Sequence, residues 1–182
     1  MNTIFKTVSS SHITISELML PSHTNFSGKI HGGYILSLLD QIAFACASKF
    51  SGNYCVTASV DTVNFLNPIE VGELVTMKAS VNYAGTSSMI IGIRVEAENI
   101  RTGVVKHCNS SYFTMVSKDN EGRNSPVPGL ILTNLKEVSR FQNCVKQIAL
   151  KKEREYQRSI ATFGSIETIL SENRFNVRVE LQ

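Results

Sequence analysis

One stretch limits what this chain can fold into. Between Tyr34 and Phe50, Ile35, Leu38, Leu39, Ile42 and Cys46 recur at helical spacing, while Leu36, Ala43 and Ala47 line the flank of the same helix. A helix apolar nearly all round is normally buried. The region C-terminal to it has the other period: Val75, Met77, Ala79, Val81 and Tyr83 alternate with Thr76, Lys78, Ser80 and Asn82, the pattern of a strand with one buried face. The alternation returns at Met89, Ile91, Ile93, Val95 and Ala97, and Val104 to Val116 reads as a further, less regular strand. Residues 12–20 alternate loosely and end at Pro21, which marks a first strand before a loop from Pro21 to Gly33. The order is therefore a strand, one long helix, then about four strands. With 182 residues the chain has length for one well-buried core, and two domains are not the default.

Beyond Ser117 the composition shifts to Lys118, Asp119, Asn120, Glu121, Gly122, Arg123 and Asn124, with prolines at 126 and 128, and reads as a linker. Leu135, Val138, Phe141, Val145 and Ile148 then predict a second amphipathic helix that continues into the charged stretch Lys151 to Arg158. Residues 160–182 show no pattern. The expected division is 1–117 for the α+β domain and 118–182 for a linker with a C-terminal helical extension. No internal repeat is present, so any two-fold architecture must come from pairing whole chains.

Composition mostly excludes. A formal net charge of +3 is too small to argue for nucleic acid, although it favours an anionic ligand such as a nucleotide phosphate. Cys46, Cys55, Cys108 and Cys144 stand far apart, without a C-x-x-C pair or a histidine at ligand spacing, so they read as reduced thiols rather than a metal site. The first twelve residues lack the features of a secretory signal, and the longest apolar run, Ile42 to Ala47, is far too short to span a membrane. A cytoplasmic location is expected.

Chemistry concentrates around the helix. Asp40 lies on its flank with almost wholly apolar helical neighbours, and a carboxylate so placed is either paired structurally or kept for a task such as general base. Directly before the helix stand His31, Gly32 and Gly33. Two glycines let a ligand approach the backbone, and the unpaired N–H groups of a first helical turn point along its positive end, a physical basis for an oxyanion hole. The same pair also serves as a plain flexible turn, and His31 has three readings: orienting the loop, contacting a ligand or packing. There is no G-x-S-x-G elbow, phosphate loop, G-x-G-x-x-G fingerprint or H-E-x-x-H helix. Cys46 has no basic partner nearby in sequence and reads as a packed thiol.

Several motifs in order resemble the acyl-CoA thioesterases of the hotdog fold, in their cytosolic acyl-CoA hydrolase branch. They are Leu20-Pro21-Ser22-His23-Thr24-Asn25, then His31-Gly32-Gly33-Tyr34 through Asp40, Val56 to Asp61, Phe65 to Gly72, and Gly85-Thr86-Ser87-Ser88-Met89. The resemblance covers roughly residues 10–117. It implies an antiparallel sheet wrapped around one long helix, and a homo-oligomer, at least a dimer and commonly a trimer of dimers, with active sites at the subunit interface. It implies acyl-CoA as substrate, fatty acid and free coenzyme A as products, and no separate cofactor. By position, Asp40 corresponds to the catalytic acid and Asn25 to an asparagine that positions water or thioester, one from each subunit. Gly33 falls where a helix-start N–H meets the thioester oxygen, with His31 and Gly32 beside it. The turn Gly85, Thr86, Ser87, Ser88 resembles a segment near the CoA arm, and equally a plain serine-rich hairpin. Two alternatives share the fold: a non-catalytic acyl-CoA-binding regulator, and a hydratase or dehydratase, for which His31 would have to act on the acyl β-carbon.

Overall fold

A computed structural model describes residues 4–160. Its first compact unit runs to Val145. The elements are β1 (Phe5–Thr7), β2 (Ile13–Leu18), α1 (Gly32–Ser51), β3 (Tyr54–Val60), β4 (Glu73–Ala84), β5 (Ser88–Asn99), β6 (Val104–Lys118), β7 (Gly129–Ile131) and α2 (Leu135–Ile160). The last of these runs past the unit's end into a second unit that begins at Lys146. Residues from 161 onward, most of the stretch without a sequence pattern, lie outside the described residues.

Five strands make one antiparallel sheet in the order β2-β4-β5-β6-β3, leaving β2 and β3 as its edges. The alternation read from the sequence decides which side each residue takes. Val75, Met77 and Val81 of β4, Met89, Ile91 and Val95 of β5, and Phe113 and Met115 of β6 are all fully or almost fully buried. They close on Ile35, Leu39, Ile42, Ala43, Cys46 and Phe50 of α1. Burying a side chain of this size is worth about 1.5–3 kcal/mol, so the helix and the inner sheet face hold each other in place. This is the hotdog arrangement, α+β, with α2 added after the sheet. Within the stretch of linker composition, β7 pairs in parallel with β1, joining segments from opposite ends of the unit. Among the described residues no helix is long and apolar enough to cross a membrane.

The ends of α1 are set locally. His31 is the N-cap: its Nδ1 accepts the N–H of Gly33 at 2.9 Å. Gly52 ends the helix in the left-handed region, at φ 78°, and donates its N–H to the Ser48 carbonyl, the usual glycine stop.

Candidate active site

The loop that carries Asn25 is rigid by construction. Thr24 and Ile30 form an isolated bridge, Asn25 N–H donates to the Lys29 carbonyl at 2.8 Å, and Gly28 turns the chain at φ 75°. Asn25 Oδ1 accepts the N–H groups of Ser27 at 2.9 Å and Lys29 at 3.2 Å. Both contacts need an acceptor, which fixes the amide's orientation and leaves Nδ2 without a hydrogen-bond partner among the described residues. The preceding motif clamps this loop to α1. His23 accepts the Leu20 N–H through Nδ1, its ring stacks on Tyr34 at 4.0 Å, and its carbonyl takes the His31 N–H at 2.8 Å. Tyr34 in turn hydrogen-bonds Glu17 of β2, which raises the tyrosine's pKa. The string Leu20 to Asn25 is thus the mounting for one asparagine.

Asp40 stands on the outer side of α1. Leu36 and Phe44, one turn before and one turn after it, are 37% and 39% exposed, and Asp40 itself is exposed. The apolar neighbours expected from the sequence are present. A single chain, however, covers only the inner stripe of the helix and leaves the Leu36, Asp40, Phe44 face open. Asp40 Oδ1 accepts a 2.6 Å hydrogen bond from Thr57 Oγ1. Thr57 sits on β3 where the pairing with β6 shifts register, a bulge between Thr57 and Ser59. Thr57 lies within the Val56 to Asp61 motif, but sequence reasoning does not single it out there; its other local signal is that it shares a strand face with the buried Cys55, two residues earlier. The open strand edge and the open helix face adjoin, because Thr57 bridges them.

Gly33, expected to offer its N–H to a ligand, donates it to His31 Nδ1. His31 is therefore an exposed cap, and its Nδ1 is not available for acid-base work in this arrangement. The Gly32 N–H has no hydrogen-bond partner among the described residues. Gly32 lies against the Phe65 ring, with room for a Cβ only 3.4 Å from it. Beside it a cleft of about 420 Å³ is lined by Ile30, Ile35, Phe65, Leu66, Pro68 and Ile69, with Lys29 at its edge. The Phe65 to Gly72 motif thus supplies an apolar wall next to the helix start, a role its sequence does not announce.

The turn Gly85 to Ser88 joins β4 to β5. It is held by Gly85 N–H to the Ser88 carbonyl, and its Thr86 and Ser87 carbonyls accept from Val127 and Ser117. The register runs Thr57 opposite Met115 opposite Met89, so the turn lies about 10 Å from Thr57 across the sheet, two strand spacings. Thr86, Ser87 and Ser88 have no side-chain hydrogen bonds among the described residues.

Within one chain these parts do not meet. Asp40 is eight residues into α1, about 12 Å along the axis from Gly32. An oxyanion donor has to lie about 3 Å from the carbonyl oxygen and a carboxylate within about 3 Å of the carbonyl or of the water that attacks it, both closer than this separation allows. Cys46 plays no part: burial pushes its thiol up to about 12, and its Sγ–H faces the Ser11 carbonyl. No group of three potential metal ligands occurs among the described residues.

Residues 27–104 match the family model described as the thioesterase superfamily. Protein VdlD of Helicobacter pylori is 40% identical over 135 residues, 74% of this chain and 77% of that one. The acyl-CoA hydrolase of Staphylococcus aureus, solved with butyryl coenzyme A, coenzyme A and coenzyme A disulfide, superposes with a TM-score of 0.78 at 29% identity, covering 93% of this chain and 99% of that one. A hexameric acyl-CoA thioesterase gives 0.80 at 30% identity, covering 87% and 99%. The Staphylococcus protein has also been solved with an aspartate, an asparagine and a threonine each replaced by alanine. Those three stand at the same sequence spacing as Asp40, Asn25 and Thr57.

Proposed function

Because this chain belongs to the thioesterase superfamily of hotdog-fold acyl-CoA hydrolases, we propose that it hydrolyses acyl-CoA at a site shared by two chains, with Asp40 from one and Asn25 plus the start of α1 from the other. The observation that carries this reading is the 12 Å separation along α1, together with the open face that holds Asp40. A two-fold partner packed on that face brings its own helix start to Asp40, and the same operation repeats the site.

In this site Asp40 takes a proton from water as the water oxygen bonds to the thioester carbon. Asn25 Nδ2 holds the water or the carbonyl. The carbonyl oxygen, negative in the tetrahedral intermediate, accepts the Gly32 N–H, and the Gly33 N–H once His31 turns aside. The C–S bond then breaks, the thiolate leaves and receives the proton from Asp40, and fatty acid and coenzyme A depart. Direct attack by the Asp40 carboxylate to give an acyl anhydride uses the same geometry. The cleft beside Phe65 takes an apolar segment of the substrate, and the free hydroxyls of Thr86, Ser87 and Ser88 suit the polar CoA arm. Four free, buried cysteines fit a reducing compartment such as the cytoplasm. The existence of a hexameric relative supports a trimer of such dimers.

Release of free thiol from acyl-CoAs of graded chain length tests the activity and separates a hydrolase from a binder or a hydratase. Asp40→Asn should stay folded and lose at least ~100-fold in turnover. Near wild-type hydrolysis by that variant overturns the assignment.

A further inference from the structure

The turn that carries Asn25 holds one residue that turn chemistry does not call for. Gly28 N–H donates to the Asn25 carbonyl at 3.0 Å, so Asn25 to Gly28 is a four-residue turn. Asparagine at the first position and glycine at the fourth are what such a turn prefers, and Ser27 and Lys29 beside them are polar. The second position is Phe26. It is fully exposed, at 114%, above every other large apolar residue among the described residues.

The backbone under this ring is held in place. The Thr24–Ile30 bridge, the Asn25–Lys29 backbone bond and the two N–H groups on Asn25 Oδ1 fix the chain on both sides of Phe26, and Lys29 is tied to Glu70 at 2.6 Å. Single apolar residues on a surface are ordinary. Phe26 differs in its neighbour: its Cα is about 3.8 Å from that of Asn25, so a substrate held by Asn25 Nδ2 has this ring beside it. The face that carries Asp40 is apolar as well. Leu36 and Phe44 stand one turn to either side of Asp40, and the Phe44 ring packs edge-on to Tyr54 at 5.6 Å.

We infer that Phe26 is a specificity residue of the hydrolase site, its ring covering the acyl chain where it leaves the thioester, against the partner's Leu36 and the partner's Phe44. The inference rests on the shared site proposed above. A phenyl ring has no donor for the phosphates and amides of the CoA arm, which leaves the acyl chain as the part of the substrate it suits. Contact with the ring grows with the methylenes that bury area against it, so the benefit increases from acetyl, which offers one methyl, to octanoyl. Acyl-CoAs of medium chain length are therefore the substrate class that this turn selects over acetyl-CoA.

Thiol release by the intact chain, read as kcat/KM for acetyl-, butyryl- and octanoyl-CoA, tests it. The wild-type value should rise from acetyl- to octanoyl-CoA. Phe26→Ala should lower it about tenfold for octanoyl-CoA, mainly through KM, and no more than about twofold for acetyl-CoA, while Phe26→Leu keeps most of the octanoyl value. A wild-type value that does not rise with chain length overturns the inference. So does an equal loss on all three substrates, which would mean that the substitution disturbs Asn25 or, with a smaller assembly by light scattering, the contact between chains. A gain on octanoyl-CoA also overturns it, because the ring would then be a stop rather than a support. A wild-type chain inactive on all three substrates fails the hydrolase reading first and this inference with it, whereas an active enzyme whose chain-length profile is indifferent to Phe26 fails this inference alone.

Discussion

Replacing Thr57 with valine removes one hydroxyl and nothing else: the β-branch, the volume and the strand preference stay. The hydroxyl donates a 2.6 Å hydrogen bond to Asp40. Bonds to a charged group are worth about 1.5–3 kcal/mol, and the exposure of this pair in the single chain argues for the lower end. A loss of about 1.4 kcal/mol in the transition state is tenfold in rate. Thr57→Val should therefore lower kcat about tenfold, and Thr57→Ser, which keeps the donor, should restore most of it. Because the site is on the surface of the chain, thermal stability should move by no more than about 0.5 kcal/mol. Steady-state thiol release with a saturating acyl-CoA, alongside a melting curve, reads both numbers. A loss as large as that of Asp40→Asn would refute the positioning role by making Thr57 part of the chemistry. An unchanged kcat would show that the partner chain alone orients Asp40.

Phe44→Glu places a charge in the open face beside Asp40; light scattering over a dilution series should show dissociation, with activity lost in parallel, and a wild-type mass with full activity would exclude that face as the interface. Gly33→Ala puts a Cβ 2.7 Å from His31 Cε1, so the ring must leave the helix cap. The expected cost is about 1 kcal/mol, a melting point lower by about 2–4 °C, and an unchanged melting point would mean the cap contributes nothing. Burial holds the Cys46 thiol at about 12 and the Cys144 thiol at about 11, both protonated at neutral pH. A thiol reagent at pH 8 should leave Cys46 and Cys144 unmodified in the native protein and label them after denaturation; fast native labelling of Cys46 would contradict its packing.

The parts of this molecule that sequence makes legible are those whose signal is local. The helix over Tyr34 to Phe50 is evident from periodicity and differs from α1 only at its ends, where glycines and a serine carry no apolar signal. Strands β4 and β5 are legible from alternation, since each has one face on the core. Strand β3 has no such alternation, being an edge strand with a bulge at Thr57. Strands β1 and β7 are three residues each and pair across more than a hundred positions, which no local pattern reports. At the site, the apolar neighbours of Asp40 are readable, but not which of them the chain covers by itself. Leu36 and Phe44 stay 37% and 39% exposed in the single chain, and sequence periodicity does not distinguish a core position from one the chain leaves uncovered. His31 admits three readings in sequence, and the structure assigns it to the cap of α1.

The shared site is tested most directly by mixing two defective chains. Asp40→Asn retains a sound Asn25, and Asn25→Ala retains a sound Asp40. In a hybrid dimer one of the two sites combines both sound residues, and random pairing of equal amounts makes about half the dimers hybrid. Thiol release should therefore rise to about a quarter of the wild-type rate, above either variant alone. With subunit exchange established by native mass spectrometry, a rate no higher than the average of the two separate variants would place Asn25 and Asp40 in the same chain's site and contradict the account.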